Sequence, residues 1–238
     1  MIVKSFNFSK AGSPESETED AVSYNIETKR FSVCDGAGDS IFSPLWASCL
    51  SSQFTDNDFD LSITADMEKY ISGCRMKWYE SIDWENLRWN VKKKAVFGSY
   101  STFLAASFVE DDVTYARVWA RGDTCLFLYK ENSMETFPIK DIKEFGLHPE
   151  LVWSGYGNPM KDKRDYKYPE VKYMEFEIDD LNGIIMATDS ISKYIMETGV
   201  TSFEEVSNNV GNREFFDIKR SNGEMRNDDV SAIIISSL

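Results

Sequence analysis

The sequence predicts an α+β domain in which antiparallel β-sheets are flanked by helices. Three observations support this. Strand-like segments dominate the chain, two pairs of them are joined by three-residue turns, and helical patterns are confined to separate blocks. Short turns favour antiparallel hairpins, because parallel neighbours need long crossover connections. The length of 238 residues fits one domain, 1–238, with a substantial apolar core.

Nine segments have the apolar content and alternation of strands. They are residues 2–8, 21–26, 31–34, 101–109, 113–121, 125–130, 171–178, 184–188 and 230–236. The turns Glu110-Asp111-Asp112 and Gly122-Asp123-Thr124 each separate two of these segments. Both turns are rich in the residues that typically end strands, so they predict two hairpin connections.

The helical patterns lie in three places. Residues 44–54 carry an apolar stripe, and Ser43 is expected to cap that helix. Residues 64–95 continue a helical pattern that we expect to break near 81–83. Ser202-Phe-Glu-Glu205 has the form of a capping box, which predicts a helix from there towards Arg220. Residues 154–170, rich in glycine, proline and charge, are predicted to form one exposed loop.

Composition restricts the classes of function. The formal net charge is −14, which disfavours nucleic acid and anionic membranes as partners. No apolar run approaches the ~20 residues of a membrane span, and the N-terminal segment lacks a signal-peptide centre, so we expect a cytoplasmic protein. The four cysteines stand apart and predict buried free thiols. A single histidine, His148, excludes a His-rich zinc site.

Carboxylates stand at the ends of several predicted strands. Asp35, Asp123 and Asp189 each follow an apolar segment, and Asp228 precedes the last one. At a shared sheet edge these groups would repel one another unless a cation joined them. Oxygen ligands alone select hard ions such as Mg²⁺, Mn²⁺ or Ca²⁺, and the Gly36 carbonyl would be accessible as a further ligand. Ordinary turn chemistry is the alternative explanation for each aspartate taken singly.

The chain resembles the metal-dependent protein phosphatases, the protein phosphatase 2C family in its bacterial serine/threonine form. Five motifs carry the resemblance, in the family's order and over nearly the whole chain. They are Thr18-Glu-Asp-Ala21, Val33-Cys-Asp-Gly-Ala-Gly38, Gly122-Asp-Thr124, Ala187-Thr-Asp-Ser-Ile191 and Asn227-Asp-Asp-Val-Ser231. Each motif is weak alone, and the combination is fairly specific.

The resemblance implies a sandwich of two antiparallel sheets with helices on its outer faces and two Mn²⁺ or Mg²⁺ ions at one end. It implies that Asp35 bridges both ions and that the Gly36 carbonyl binds one of them. The other positions it assigns are Asp189 and Asp228 as ligands of one ion, Glu19 as a ligand of the second, Asp20 as the residue that orients water, and Asp123 at a third, weaker ion. The implied activity is hydrolysis of serine/threonine phosphoproteins by metal-activated water.

Three positions depart from the family pattern. Glu15 stands where the family usually has an arginine that grips the substrate phosphate, and Lys10 is the candidate substitute. Ser190 replaces a glycine beside Asp189, and Ala37 stands where some members have a histidine. The alternative function is therefore an impaired pseudophosphatase that serves as a regulatory binding module. A metal-binding fold without phosphate chemistry is a third possibility.

Three other groups of residues are expected to have a structural or solvent-exposed role and no specific function. Lys92, Lys93 and Lys94 are expected to form a solvated helix face, and Trp78, Trp84 and Trp89 to pack against helices. The loop cations are also expected to be solvated, although the resemblance would let them supply phosphate counter-charge: Lys161, Lys163, Arg164 and Lys167.

Overall fold

The computed structural model describes residues 1–110, 113–146, 149–155 and 168–238. Its strands are β1 (Ile2–Phe8), β2 (Asp20–Asn25), β3 (Arg30–Asp35), β4 (Tyr100–Ser101), β5 (Phe103–Glu110), β6 (Thr114–Arg121), β7 (Cys125–Lys130), β8 (Ser133–Phe137), β9 (Val152–Trp153), β10 (Lys172–Glu177), β11 (Gly183–Ala187) and β12 (Val230–Ser236). Its α-helices are α1 (Ser43–Thr55), α2 (Thr64–Glu80), α3 (Trp89–Ala95), α4 (Asp189–Thr198), α5 (Ser202–Asn208) and α6 (Arg213–Ser221).

The strands form two five-stranded antiparallel sheets, which confirms the predicted fold class. The first sheet has the order β1-β12-β11-β7-β8, and the second has the order β10-β6-β5-β3-β2. The short strands β4 and β9 pair separately. The predicted pairing of β5 with β6 is confirmed, although residues 111 and 112 of the predicted turn lie outside the described residues. The turn at 122–124 closes no hairpin, because β6 and β7 belong to different sheets.

Three apolar cores hold four layers together. The central core lies between the two sheets and includes Phe31 and Val118 from one sheet and Ile184 and Ile233 from the other. A second core packs α1 and α2 on the outer face of the β3-containing sheet. The third packs α4, α5 and α6 on the outer face of the β12-containing sheet. Because each sheet buries both of its faces against a neighbouring layer, inner strands such as β11 and β12 are apolar almost throughout instead of alternating.

Most predicted strand limits are within a few residues of the observed ones, whereas several helix predictions need correction. The break near 81–83 is confirmed, since α2 ends at Glu80. The predicted helix from Ser202 to Arg220 is two helices separated at 209–212. Ser202 is not a capping residue, because its hydroxyl donates to the Gly199 carbonyl and lies 2.8 Å from the Tyr129 hydroxyl. The strand β8 and the helix α4 were not predicted.

Two predictions about individual side chains are tested by burial. All four cysteines are free and buried, as predicted. Trp78 is buried and Trp84 packs against the same core, but Trp89 is 80% exposed, so the packing prediction is wrong for Trp89. The tryptophan lies on the outer side of a short helix whose only buried residue is Ala95. In the described part of the chain, no helix is long and apolar enough to cross a membrane.

Candidate metal centre

The loop after β3 is held by two neighbouring segments. The Asp35 amide donates to Thr102 Oγ1 at 2.9 Å, and the Asp35 carbonyl accepts from the Thr102 amide at 2.8 Å. The Gly36 amide donates to the Glu19 carbonyl at 3.1 Å. A Cβ on Gly36 would lie 2.6 Å from the Glu19 carbonyl oxygen, so the close approach of these two backbones requires glycine here.

Asp20 lies opposite Asp35 across the sheet, because β2 and β3 pair these two residues directly. The hydroxyl of Thr188 donates to Asp20 Oδ2 at 3.0 Å, and the same residue's amide donates to the Ser231 carbonyl at 3.0 Å. Thr188 therefore ties the end of β11 in one sheet to the start of β2 in the other. This contact across the sandwich explains why strand ends distant in sequence meet at one edge.

Asp229 connects the N-terminal segment to the start of β12. Its two carboxylate oxygens accept from the Lys10 amide at 2.8 Å and from the Glu19 amide at 2.6 Å. Asp229 was not predicted to have a role, although it stands beside Asp228 in the closing motif. Its only signal in the sequence was the doubled aspartate.

The prediction that Ser43 caps α1 is wrong. Ser43 Oγ donates to Glu19 Oε1 at 2.9 Å, so this hydroxyl orients a site carboxylate instead of capping the helix. The residue at the cap position is Phe42, in a left-handed conformation with φ 58°. A predicted site residue thus gains a positioning partner from a helix on the outer layer.

Asp189 begins α4 and forms an ion pair with a lysine one turn later. Lys193 Nζ lies 2.7 Å from Asp189 Oδ2 and 5.1 Å from the centre of the Phe145 ring. Burial and the charge of Asp189 raise the pKa of Asp123, and the charge of Lys193 opposes that increase, so the ammonium influences both carboxylates. Lys193 was missed in the sequence, where its only signal was the i, i+4 spacing from Asp189.

The carboxylates at this end of the sandwich raise one another's pKa. Burial and the charge of Asp20 raise the pKa of Asp35 well above its usual value, and Asp189, Asp123 and Asp228 add to the effect. Burial and the charge of Asp189 raise the pKa of Asp123 to about 6. Burial also raises the pKa of Asp20, Asp228 and Glu19. The predicted positions are therefore close enough to interact as one cluster, and their roles as ligands stay a prediction.

The donor set suits a hard cation. Its side chains offer carboxylate oxygens, and no thiolate is among them, since Cys34 and Cys125 are buried within the cores. Within the described residues, however, no group of three or more Asp, Glu, His or Cys side chains is already positioned to hold a metal ion. Binding would thus require the carboxylates to turn towards a shared point, and an ion there would offset the repulsion that raises their pKa values.

Glu15 is engaged by an arginine from α6. Arg213 Nη1 donates to Glu15 Oε1, and Arg213 Nη2 donates to the Ser13 carbonyl at 3.2 Å. The glutamate is therefore part of a charge pair that fixes the segment before β2, not an isolated acid of the wrong sign facing the site. Arg213 was not identified from the sequence, because the pair spans 198 residues.

The other departures have local explanations. Ser190 Oγ donates to the Arg226 carbonyl at 3.1 Å, which ties α4 to the segment that carries Asp228. The amide of Ala37 donates to the Tyr100 carbonyl at 3.0 Å. The Lys10 side chain is half-buried, and its charge offsets part of the increase that burial causes in the pKa of Glu19. The predicted loop cations Lys161, Lys163, Arg164 and Lys167 lie outside the described residues, as does His148.

The raised pKa values predict the pH dependence of stability in the metal-free protein. Asp123 has a pKa of about 6 when folded, against 3.8 as its ordinary value. The folded state then binds more protons than the unfolded state, so stability is highest below about pH 4 for this group and falls as pH rises through about 6. For this group, the difference between the two pKa values corresponds to a loss of roughly 2–3 kcal/mol in the free energy of unfolding.

Urea unfolding in chelator at pH 5 and pH 7 checks this expectation. We expect the wild type to lose more unfolding free energy over this interval than an Asp123→Asn variant, in which the titrating group is absent. Saturating Mn²⁺ should reduce the difference, because a cation favours the ionised carboxylate. Parallel pH curves for the two proteins in chelator would show that Asp123 is not held in a repulsive site.

Several solved structures have a similar fold. A crystal structure of a bacterial serine phosphatase matches with a TM-score of 0.67 and 12% identity, covering 99% of this chain and 97% of that one. This chain has the fold of the bacterial serine/threonine phosphatases. The phosphatase Stp1 from Staphylococcus aureus matches with a TM-score of 0.65 and 12% identity, covering 99% of this chain and 94% of that one.

A further structure with this phosphatase fold is described with metals. The catalytic domain of the serine/threonine protein phosphatase PstP, in complex with two manganese ions, matches with a TM-score of 0.60 and 14% identity, covering 98% of this chain and 96% of that one. No protein-family model and no curated protein matches the chain. The chain is therefore similar to these phosphatases in fold and only weakly similar to them in sequence.

Proposed function

We propose that the chain is a single-domain, Mn²⁺- or Mg²⁺-dependent phosphatase of serine/threonine phosphoproteins. The observation that carries the proposal is the cluster of Asp20, Asp35, Asp123, Asp189 and Asp228, whose carboxylates interact at one end of a sandwich with the phosphatase fold. A cation would relieve the repulsion between these carboxylates in their ionised form, and two cations suit the dianionic phosphate group.

The residues would divide the chemistry as follows. Asp35, with the Gly36 carbonyl, would stand between two ions, Asp189 and Asp228 would hold one of them, and Glu19 the other. Bound there, hard cations would supply an activated water and neutralise the phosphoryl oxygens. Asp20, which accepts from Thr188 at Oδ2, would orient water. No histidine base is required.

A third tightly bound ion is not part of the proposed site. Asp123 is the residue that would hold it, but Lys193 already places a positive charge beside Asp189 and Asp123. A lysine ammonium and a divalent cation would compete for the same carboxylate oxygen. We therefore propose two tightly bound ions, with Lys193 taking the place of a third.

The substrate phosphate needs a cation as well. Lys10 is our candidate, since its charge reaches Glu19 and its side chain makes no hydrogen bond or ion pair within the described residues. The Lys10 amide donates to Asp229 Oδ1, so the backbone that carries the lysine side chain is fixed. Glu15 does not oppose this role, because Arg213 neutralises it.

The test is phosphate release against a metal series. We expect hydrolysis of an aryl phosphate and of a phosphoserine peptide with Mn²⁺ or Mg²⁺, abolished by chelator, together with two Mn²⁺ ions per chain in equilibrium dialysis. Hydrolysis that resists chelator would contradict the metal mechanism. Binding of Mn²⁺ and phosphopeptide without any turnover would instead support the pseudophosphatase, whose fold and metals would be intact.

A further inference from the structure

A cationic and apolar surface lies on α3 and the turn that follows it. We define the α3 surface as Arg88, Trp89, Lys92, Lys93, Val96 and Phe97. All six residues are exposed, and the apolar ones are unusually so: Trp89 is 80%, Val96 66% and Phe97 56% accessible. Large apolar side chains this exposed and this close together are typical of interaction sites.

Among the residues that the structure describes, the cations of this surface have no acidic partner. No Asp or Glu occurs between residues 87 and 109, although the chain as a whole carries a net charge of −14. Within the described part of the chain, the side chains of Arg88, Lys92 and Lys93 make no ion pair and no hydrogen bond. A local positive patch on an acidic protein favours a negatively charged partner at that place.

Helical spacing puts the cations and the apolar groups on one face. Residues 88, 89, 92, 93 and 96 lie within about 140° of one another at 3.6 residues per turn. The turn continues past Ala95, because the Val96 amide donates to the Lys92 carbonyl at 3.1 Å and the Phe97 amide to the Lys94 carbonyl at 3.0 Å. Exposed cations and exposed apolar groups therefore lie next to one another on a single continuous surface.

This surface is connected directly to the loop of Asp35. The carbonyl of Phe97 accepts from Trp153 Nε1 at 2.7 Å, which fixes the end of the surface. Three residues later the carbonyl of Tyr100 accepts from the Ala37 amide at 3.0 Å, beside Gly36. Three residues span at most roughly 11 Å, a distance that three or four residues of an extended peptide would cover.

We infer that the α3 surface binds an acidic segment, containing an apolar residue, that flanks the phosphorylated residue of the protein substrate. The inference rests on the proposed phosphatase function and adds a substrate class to it. The three cations pair with Asp or Glu side chains of the segment, and Trp89 with Val96 and Phe97 receives its apolar side chain. The surface would lower KM for such substrates without a part in the chemical step.

A protein segment suits this surface better than an anionic membrane. A membrane touches a broad area and would meet the acidic remainder of the molecule as well as α3. Exposed charges further apart than the Debye length, about 8 Å at physiological ionic strength, are largely screened from one another, so a peptide on α3 is affected mainly by the charges beside it. The helix has only seven residues, whereas helices that lie in a membrane surface are usually much longer.

The test compares two phosphoserine peptides with the Mn²⁺-loaded protein. One carries Asp and Glu around a leucine at the third to sixth positions after the phosphoserine, and the other carries Asn and Gln there. We expect KM to be about tenfold lower for the acidic peptide, since each of three exposed ion pairs contributes a factor of about two. The triple variant Arg88→Gln/Lys92→Gln/Lys93→Gln should remove the preference and leave kcat unchanged.

The control removes the same charge elsewhere. Lys69, Lys140 and Lys143 are exposed and lie outside the α3 surface, so Lys69→Gln/Lys140→Gln/Lys143→Gln should keep the preference. Trp89→Ala should raise KM for both peptides, because both contain the leucine. Equal KM values for the two peptides with the wild type, or equal loss of preference in both triple variants, would overturn the inference and leave the hydrolase intact.

Binding without metal separates this inference from the proposed function. Fluorescence anisotropy of the labelled peptides, without phosphate and in chelator, should show the same acidic preference and the same loss in the Arg88 triple variant. That result without any hydrolysis would contradict the phosphatase proposal alone. Sedimentation with phosphatidylserine vesicles that depends on Arg88, Lys92 and Lys93, with no peptide preference, would assign the surface to membranes and overturn the inference.

Discussion

An Asp35→Asn variant is expected to lose at least about a thousandfold of the metal-dependent hydrolysis, because an interaction worth several kcal/mol in the transition state disappears. Asn keeps the shape of the side chain and removes its charge. Dialysis should show fewer than two bound Mn²⁺ ions, since this is the residue proposed to contact both. In the wild type the backbone at this position is fixed by Thr102, whose hydroxyl accepts from the Asp35 amide and whose amide donates to the Asp35 carbonyl.

The same variant should behave in the opposite way without metal. Removing a carboxylate whose pKa burial and Asp20 raise well above its usual value relieves repulsion, so in chelator at pH 7 the variant should be more stable than the wild type. Asp39→Asn is the matched control, because Asp39 is exposed on the same loop. Retained hydrolysis in Asp35→Asn, or lower stability in chelator, would contradict the assignment.

Gly36→Ala should be the most damaging single-methyl addition in the site. The new Cβ would lie 2.6 Å from the Glu19 carbonyl oxygen and 2.8 Å from backbone atoms of Ser43, none of which can rotate away. Overpacking of this kind costs about 1–3 kcal/mol, and the strain would separate the loop from both neighbouring segments. We expect a lower free energy of unfolding and weaker Mn²⁺ binding, measured by urea denaturation and dialysis.

Gly38→Ala is the control two residues along the same loop. Its Cβ would meet only Glu19 Oε2 at 2.8 Å, the end of a side chain that can turn. Stability should then fall by less than about 1 kcal/mol, while Mn²⁺ affinity falls as Glu19 leaves its position near Ser43. Equal unfolding energies for Gly36→Ala and Gly38→Ala would show that the Gly36 backbone contact is not tight.

The sequence identified features that depend on local periodicity. Strands such as β1 and β12 were found because each alternates or runs apolar over seven residues, and packing in buried layers then fixed their limits. The helix α4 was missed because it begins at Asp189, directly after the end of β11, and no separating turn marks the change. The strand β8 is largely exposed and has a weak apolar pattern.

Side-chain partners could be predicted far less well than the backbone. Ser43 and Ser202 stand at positions typical of helix caps, but tertiary contacts with Glu19 and with Tyr129 and Gly199 take their hydroxyls. Motif order gave the site aspartates, whereas Asp229 and Arg213 bond to segments about 200 residues away. Such pairs leave no periodic trace in one sequence, and only the folded chain brings them together.

The most direct test of the metal centre is anomalous scattering from crystals grown with Mn²⁺. We expect two anomalous peaks at the edge where β2, β3 and β12 meet, with Asp35 contacting both and Asp189 and Asp228 contacting one. We also expect the ammonium of Lys193, not a third peak, beside Asp123. Crystals with no anomalous peak within bonding distance of Asp35, Asp189 or Asp228 would contradict the proposed metal centre.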